Sequence, residues 1–217
     1  MQKSMSDNLI AIWHSSCEVE FTAIVLPDGC RDLIVKTVAK ERPQWLISPL
    51  FDRSKPVLIE ADSKLQGFRL KPGVNIDAKA LLGALSGTCF HADDVQNLIE
   101  DFTHLDPTAE EALACLASDV ESIKEASHRL GVSVRTLQRL LLKKTERSPG
   151  YWFQLARARK AARRLTRSAR FVDVAEMYGF SDQSHMNREF RRWFRASPSE
   201  LLKTPAIIEQ LNAQAYG

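Results

Sequence analysis

The stretch that decides the fold reads Val174-Ala175-Glu176-Met177-Tyr178-Gly179-Phe180-Ser181-Asp182-Gln183-Ser184-His185. Val174 and Ala175 suit the buried side of a short helix. Gly179 supplies the left-handed backbone position that a tight turn between helices needs. Met186, Phe190, Trp193 and Phe194 then recur at helical spacing. The same pattern stands 48 residues earlier as Ala126-Ser127 followed by Gly131-Val132-Ser133. Leu137 and Arg139 answer Met186 and Arg188 at a spacing of 49. One helix–turn–helix unit therefore occurs twice.

Each unit has a physical logic. The first helix packs through Ile123, Ala126, Ser127 and Leu130, and small Ser127 and Ala175 let the next helix cross closely. Ser133 and Ser181 are the expected caps of the second helices. Those helices bury Leu137, Leu140 and Leu141, or Met186, Phe190, Trp193 and Phe194. Their opposite faces show Arg135, Gln138 and Arg139, or Gln183, Ser184, His185 and Arg188. These side chains pair well with base edges: Arg with guanine, Gln with adenine, Ser and His with several acceptors. A helix that projects them from its N-terminal half fits a major groove.

Charge distribution agrees. Residues 109–217 hold 19 Lys and Arg against 12 Asp and Glu, whereas residues 1–108 hold 11 against 15. Between Ile123 and Lys203 the count is 19 against 7. Such a basic segment suits a polyanion. Tyr151 to Arg167 reads as one helix of seventeen residues, about 26 Å long at 1.5 Å per residue. It would hold two reading helices about one DNA turn apart, roughly 34 Å. Ser133, Thr136, Lys143, Arg157, Lys160, Arg163, Arg164, Arg191 and Arg192 are the expected phosphate contacts.

The segment from about Ser122 to Leu202 resembles the DNA-binding domain of AraC/XylS-type transcription regulators. The residues that carry the likeness are Gly131-Val132-Ser133, Leu137-Gln138-Arg139, Ser148-Pro149 before Tyr151, Val174-Ala175-Glu176, Tyr178 to His185, Arg188 to Arg192 and Ser197-Pro198. The resemblance implies seven helices, two helix–turn–helix motifs and a rigid linker helix. Carried over by position, it places base contacts on Arg135, Gln138, Arg139, Gln183, Ser184, His185 and Arg188. Met186 stands where the family usually has Phe, and Ala196 where it often has Gly, so the turn before Ser197 is expected to differ.

The front half reads as short strands. Val19–Val25 and Leu33–Val38, around Pro27-Asp28-Gly29, suggest a hairpin. Gln44–Ile47, Pro56–Glu60 and Leu65–Leu70 are further strands, and several such strands suggest a sandwich or barrel. Asp77–Leu85 and Asp93–Phe102 read as helices capped by their Asp. Thr108 with Glu111, Ser122 with Glu125 and Ser197 with Glu200 read as capping boxes. Leu26 to Ile34 and Gly67 to Gly73 resemble a sensor-type domain found in some members of the same family, which implies a cupin-like barrel or part of one. About 105 residues are few for a closed barrel with an effector pocket.

The expected organisation is α+β: a β-rich sensor or dimerisation domain over 1–106, and a double helix–turn–helix DNA-binding domain over 107–217. Asp106-Pro107 is the expected link. Four cysteines form no CxxC, which suits free thiols in a reducing cytoplasm. No apolar run approaches a membrane span, and Met1–Ile10 lacks the order of a signal peptide.

Other readings of the front half stand beside this one. Cys30-Arg31-Asp32 sets a thiol beside a cation that would lower its pKa, as an alkyl-accepting DNA-repair regulator would require. A small buried cysteine is the simpler reading. His14, Cys17, Cys30, Cys89 and His91 have irregular spacing for zinc. Trp13, Phe21, Trp45 and Phe68, with Arg69, read as core aromatics before they read as a ligand pocket, and His128 as plain helix surface. The expectation is a non-enzymatic regulator with no cofactor and no metal. Its partner is double-stranded DNA. RNA polymerase, a small effector and a second copy of the chain are partners the sequence leaves open, as is a constitutive binder whose front half only dimerises.

Overall fold

The structure, a computed structural model, describes residues 6–39, 41–86, 91–167 and 169–217. Its front half is built on a four-stranded antiparallel sheet in the order β1-β6-β3-β4, with β1 Leu9–Cys17, β3 Asp32–Val38, β4 Gln44–Ile47 and β6 Ser63–Leu70. A second sheet pairs only β2 (Phe21–Val25) with β5 (Lys55–Ile59). The barrel is therefore open among the described residues. Phe21, expected in the core, is half-exposed on this narrow second sheet.

The expected hairpin between 19–25 and 33–38 does not form. β2 pairs with β5, Phe21 opposite Ile59, while β3 pairs with β4 and β6. The reason lies in the connection. Leu26 is buried among the C-terminal helices, and Gln210 holds it by accepting from the Leu26 N–H at 3.0 Å and donating to the Ile24 carbonyl at 2.8 Å. Gly29 takes φ +74°, and a side chain there would meet Tyr216 and Trp152. Docking onto helices, not a two-strand turn, shapes residues 26–30, so β2 and β3 leave for different sheets. β1, absent from the sequence reading, pairs along β6 with Trp13 opposite Gly67. A Cβ at Gly67 would fall inside the Trp13 indole, so the glycine gives the ring its place.

Helices α1 (Ala78–Leu85) and α2 (Ala92–Phe102) complete the first core. There Leu33, Phe68 and Leu70 of the sheet meet Leu81, Leu85, Val95 and Ile99. Asp77 caps α1 as expected, accepting from the Ala80 N–H. The cap of α2 is His91, not Asp93, and Asp94 accepts from the His91 N–H. Before α1 lies the short β7 (Asn75–Ile76), and after α2 its partner β8 (Thr103–His104). Asp106 then caps α3 (Pro107–Ala117), accepting from Thr108 and Ala109. Thr108 is thus inside the helix and not its cap. Hydrogen bonds from Lys144 and Thr108 hold the Asp106 carboxyl well below the usual carboxylate range.

The C-terminal helices are α4 (Ile123–Arg129), α5 (Val134–Thr145), α6 (Pro149–Leu165), α7 (Phe171–Met177), α8 (Gln183–Phe194), α9 (Pro198–Leu201) and α10 (Pro205–Asn212). Residues 122–202 hold six helices among those described; α3 makes the implied seven, and α10 is an eighth. Ser122, Ser148 and Ser197 all cap as expected. Glu200 closes a full box on Ser197, but Glu125 reaches back to the Glu121 N–H instead. The second core joins these helices around Trp152, Phe190, Trp193 and Phe194, and includes Leu26 from the front half. No described helix is long and apolar enough to cross a membrane.

Candidate nucleic-acid interface

The repeat is more regular in three dimensions than in sequence. Gly131 and Gly179 both take positive φ, +66° and +68°. Ser133 caps α5 by accepting from Thr136. In the second unit the cap is Asp182, accepting from His185, and not Ser181. The second turn is thus one residue longer, which explains the change of register from 48 to 49. From there the units stay in step. Both reading helices have 12 residues. Both end on a left-handed residue that is not glycine, Glu146 at φ 58° and Arg195 at φ 55°, and both lead into Ser-Pro. Because Arg195 takes the left-handed position, Ala196 needs no glycine-like backbone. Met186 is fully buried, as a core residue should be.

One consequence concerns the caps. Asp182→Ala and Ser133→Ala should each cost about 1 kcal/mol of stability, read from chemical denaturation. Ser181→Ala, by contrast, should cost well under half of that if Asp182 is the cap. An equal loss for Ser181→Ala would contradict the assigned cap.

The solvent face of α5 presents Arg135, Gln138, Arg139 and Lys143, all exposed. On α8, Gln183, Ser184 and Arg188 are exposed. His185 is half-buried, with its ring edge-on to Phe180 at 5.5 Å. Its Nδ1 accepts from the Ser181 N–H at 3.2 Å. His185 therefore closes its own turn.

The expected phosphate contacts divide into two sets. Ser133 and Thr136 share a 2.9 Å hydroxyl contact at the exposed start of α5. Arg164 and Arg191 are exposed, and so is Arg192, although it also reaches Gln154 at 2.7 Å. Arg157, Lys160 and Arg163 are half-buried and each bonds to a backbone carbonyl of a neighbouring segment. Arg157 donates to the Gly179 carbonyl and lies 4.7 Å over the Phe180 ring. Lys160 donates to the Ser118 carbonyl at 3.1 Å, and Arg163 to that of Leu211 at 3.1 Å. The basic face of α6 is therefore largely a set of clamps onto α3, α7 and α10. Helical spacing alone does not separate such clamps from a solvent face.

The front-half candidates do not assemble a reactive site. Cys30 is buried, and burial, aided by the Asp28 carboxylate, pushes its thiol well up. Arg31, expected to lower it, turns away to Glu146 at 3.0 Å. Cys89 lies outside the described residues; among those described, no group of His, Cys, Asp and Glu is placed to hold a metal. Trp45 stacks on buried Phe68 at 6.5 Å, and Arg69 binds Asp32 and Asp28 at 3.0 and 3.1 Å. A cleft of about 360 Å³ opens over the far end of the main sheet, lined by His14, Val35, Thr37, Lys64 and Gln66 among others.

Two helix–turn–helix units on one connector, each presenting a polar reading face, define a double helix–turn–helix domain. Residues 126–204 match the helix-turn-helix domain family. The transcriptional regulator RipA of Corynebacterium glutamicum is 39% identical over 82 residues, covering 38% of this chain and 25% of that protein. The transcriptional activator RhaS of Escherichia coli is 38% identical over 74 residues, covering 34% of this chain and 27% of that protein. The matched segment thus spans about a quarter of each of these relatives. A crystal structure of ToxT from Vibrio cholerae aligns with 94% of this chain and 98% of its own at a TM-score of 0.49 and 11% identity. Residues 126–204 are thus a helix–turn–helix domain similar to the corresponding segments of these transcription regulators.

Proposed function

We propose that the protein is a sequence-specific, DNA-binding transcription regulator that reads two successive major grooves with α5 and α8. The observation that carries this reading is the pair of matched units, in step from cap to Ser-Pro, on a connector about 26 Å long. Arg135, Gln138, Arg139, Gln183, Ser184, His185 and Arg188 carry base readout. Ser133, Thr136, Lys143, Arg164, Arg191 and Arg192 supply phosphate contacts, with Arg157, Lys160 and Arg163 setting the helices that hold them. Residues 107–217 are the reading unit and residues 1–106 the controlling or dimerising one. The protein works in the cytoplasm without catalysis. A small effector is the controlling partner proposed for the front half. A second copy of the chain and RNA polymerase are the macromolecular partners such a regulator would engage.

The test contrasts two variants on duplex DNA. Arg139→Ala should relax base preference at one position by about 1–3 kcal/mol. Arg164→Ala should weaken binding to all sequences alike and lower the salt slope by about 1. Unchanged base preference in Arg139→Ala would remove the assigned register.

A further inference from the structure

Arg159 lies in the middle of α6 and is fully buried. Its Nη1 donates to the Pro27 carbonyl at 3.3 Å, while Nε and Nη2 meet no hydrogen-bond acceptor among the described residues. Burial lowers its pKa to about 10, and the Asp28 carboxylate opposes that fall. Asp28 also faces Arg69 at 3.1 Å, and Arg69 binds Asp32 at 3.0 Å. Two cations and two carboxylates therefore meet here, Arg159 buried and Asp28, Asp32 and Arg69 half-buried. Three of the four come from the front half; Arg159 alone comes from the connector. A buried charge is costly unless it is compensated, and for Arg159 the compensation belongs to another part of the chain.

The loop that brings Asp28 is firmly seated. Tyr216 donates its N–H to the Asp28 carbonyl at 3.0 Å, and Asp28 accepts from the Cys30 N–H at 2.9 Å. The connector in turn holds both reading units. Trp152 reaches Thr145 at the end of α5 at 2.9 Å, and Gln154 reaches Arg192 on α8 at 2.7 Å.

We propose that Arg159 is a positioning residue: bonded to the Pro27 carbonyl next to Asp28, it fixes α6 against the front half and so sets the two reading helices at the separation one duplex requires. This rests on the DNA-reading proposal above. It makes the Leu26–Gly29 loop the place where the front half acts on DNA recognition.

The test uses the full chain with Asp28→Asn, Arg159→Met and the two combined. The probes are the two-element duplex that the unaltered protein selects from a random pool, and duplexes carrying either element alone. Each single variant should lose about tenfold or more of the two-element advantage, with one-element binding unchanged, and the double variant should recover part of it because no orphaned charge remains. One-element and two-element binding falling together would make Arg159 merely structural and overturn the proposal. Strict additivity in the double variant would overturn it too. Hydrogen exchange over residues 149–165 reads the grip without DNA: faster exchange in each single variant, partly reversed in the double, is expected. Unchanged exchange overturns the proposal. If the unaltered protein prefers no two-element site, the DNA reading fails, and the exchange result still decides whether Asp28 and Arg159 hold α6.

Discussion

Trp152→Ala should remove about 3–5 kcal/mol of stability, the range for emptying a large buried aromatic site. The indole is fully buried at the start of α6. It meets Tyr151 edge-on at 5.1 Å and Tyr216 at 4.9 Å, and its Nε1 donates to the Thr145 hydroxyl at 2.9 Å. It also sits against Gly29, so it touches the end of α5, the C-terminal segment and the front-half loop together. Removing it leaves a cavity that three segments would have to close at once. Trp152→Phe keeps most of the volume but leaves Thr145 without its indole donor, and should cost about 1–2 kcal/mol. Urea denaturation of the three proteins checks the order. A Trp152→Ala loss below about 1 kcal/mol would mean that the connector is not anchored at this point.

The second large effect is on DNA. Arg139→Ala and Arg188→Ala each remove one side chain able to bind a guanine edge in two places, at about 1–3 kcal/mol apiece. The two stand at equivalent positions of α5 and α8, on different units and with no shared partner, so their losses should add. Combined, discrimination between the selected site and random duplex should fall by about 2–6 kcal/mol, or about 30-fold to about 20,000-fold. Binding to random duplex should fall far less, because the phosphate contacts remain. Competition titrations against both duplexes at fixed salt measure this. Retained discrimination would place the reading residues elsewhere.

The C-terminal architecture is legible in sequence because its signals are local. Gly131 and Gly179, Ser148-Pro149 and Ser197-Pro198 each act within one turn of chain, and each does what its chemistry suggests. The Ser181 cap misleads because the Asp that follows is an equally good cap, and one extra turn residue hands it the role. The front half is harder. Strand segments at 44–47 and near 55–59 and 63–70 are marked by β-branched residues and turn chemistry, yet their pairing is set by distant contacts. Pro27-Asp28-Gly29 has hairpin chemistry and instead becomes a docking loop, because Leu26 finds its core among the C-terminal helices and its N–H bonds to Gln210, 184 residues later. Distance in sequence hides Arg159 too. A lone Arg among Arg157, Lys160, Arg163 and Arg164 looks like one more member of a basic stripe, and only the fold turns it inward.

The central claim is that one chain reads two successive major grooves. Selection of bound sequences from a random duplex pool by the purified protein, at near-physiological salt, tests it most directly. The account predicts an enriched site with two short elements about one helical turn apart, roughly 10–10.5 base pairs centre to centre. Enrichment of a single short element, with the second unit indifferent to sequence, would contradict it.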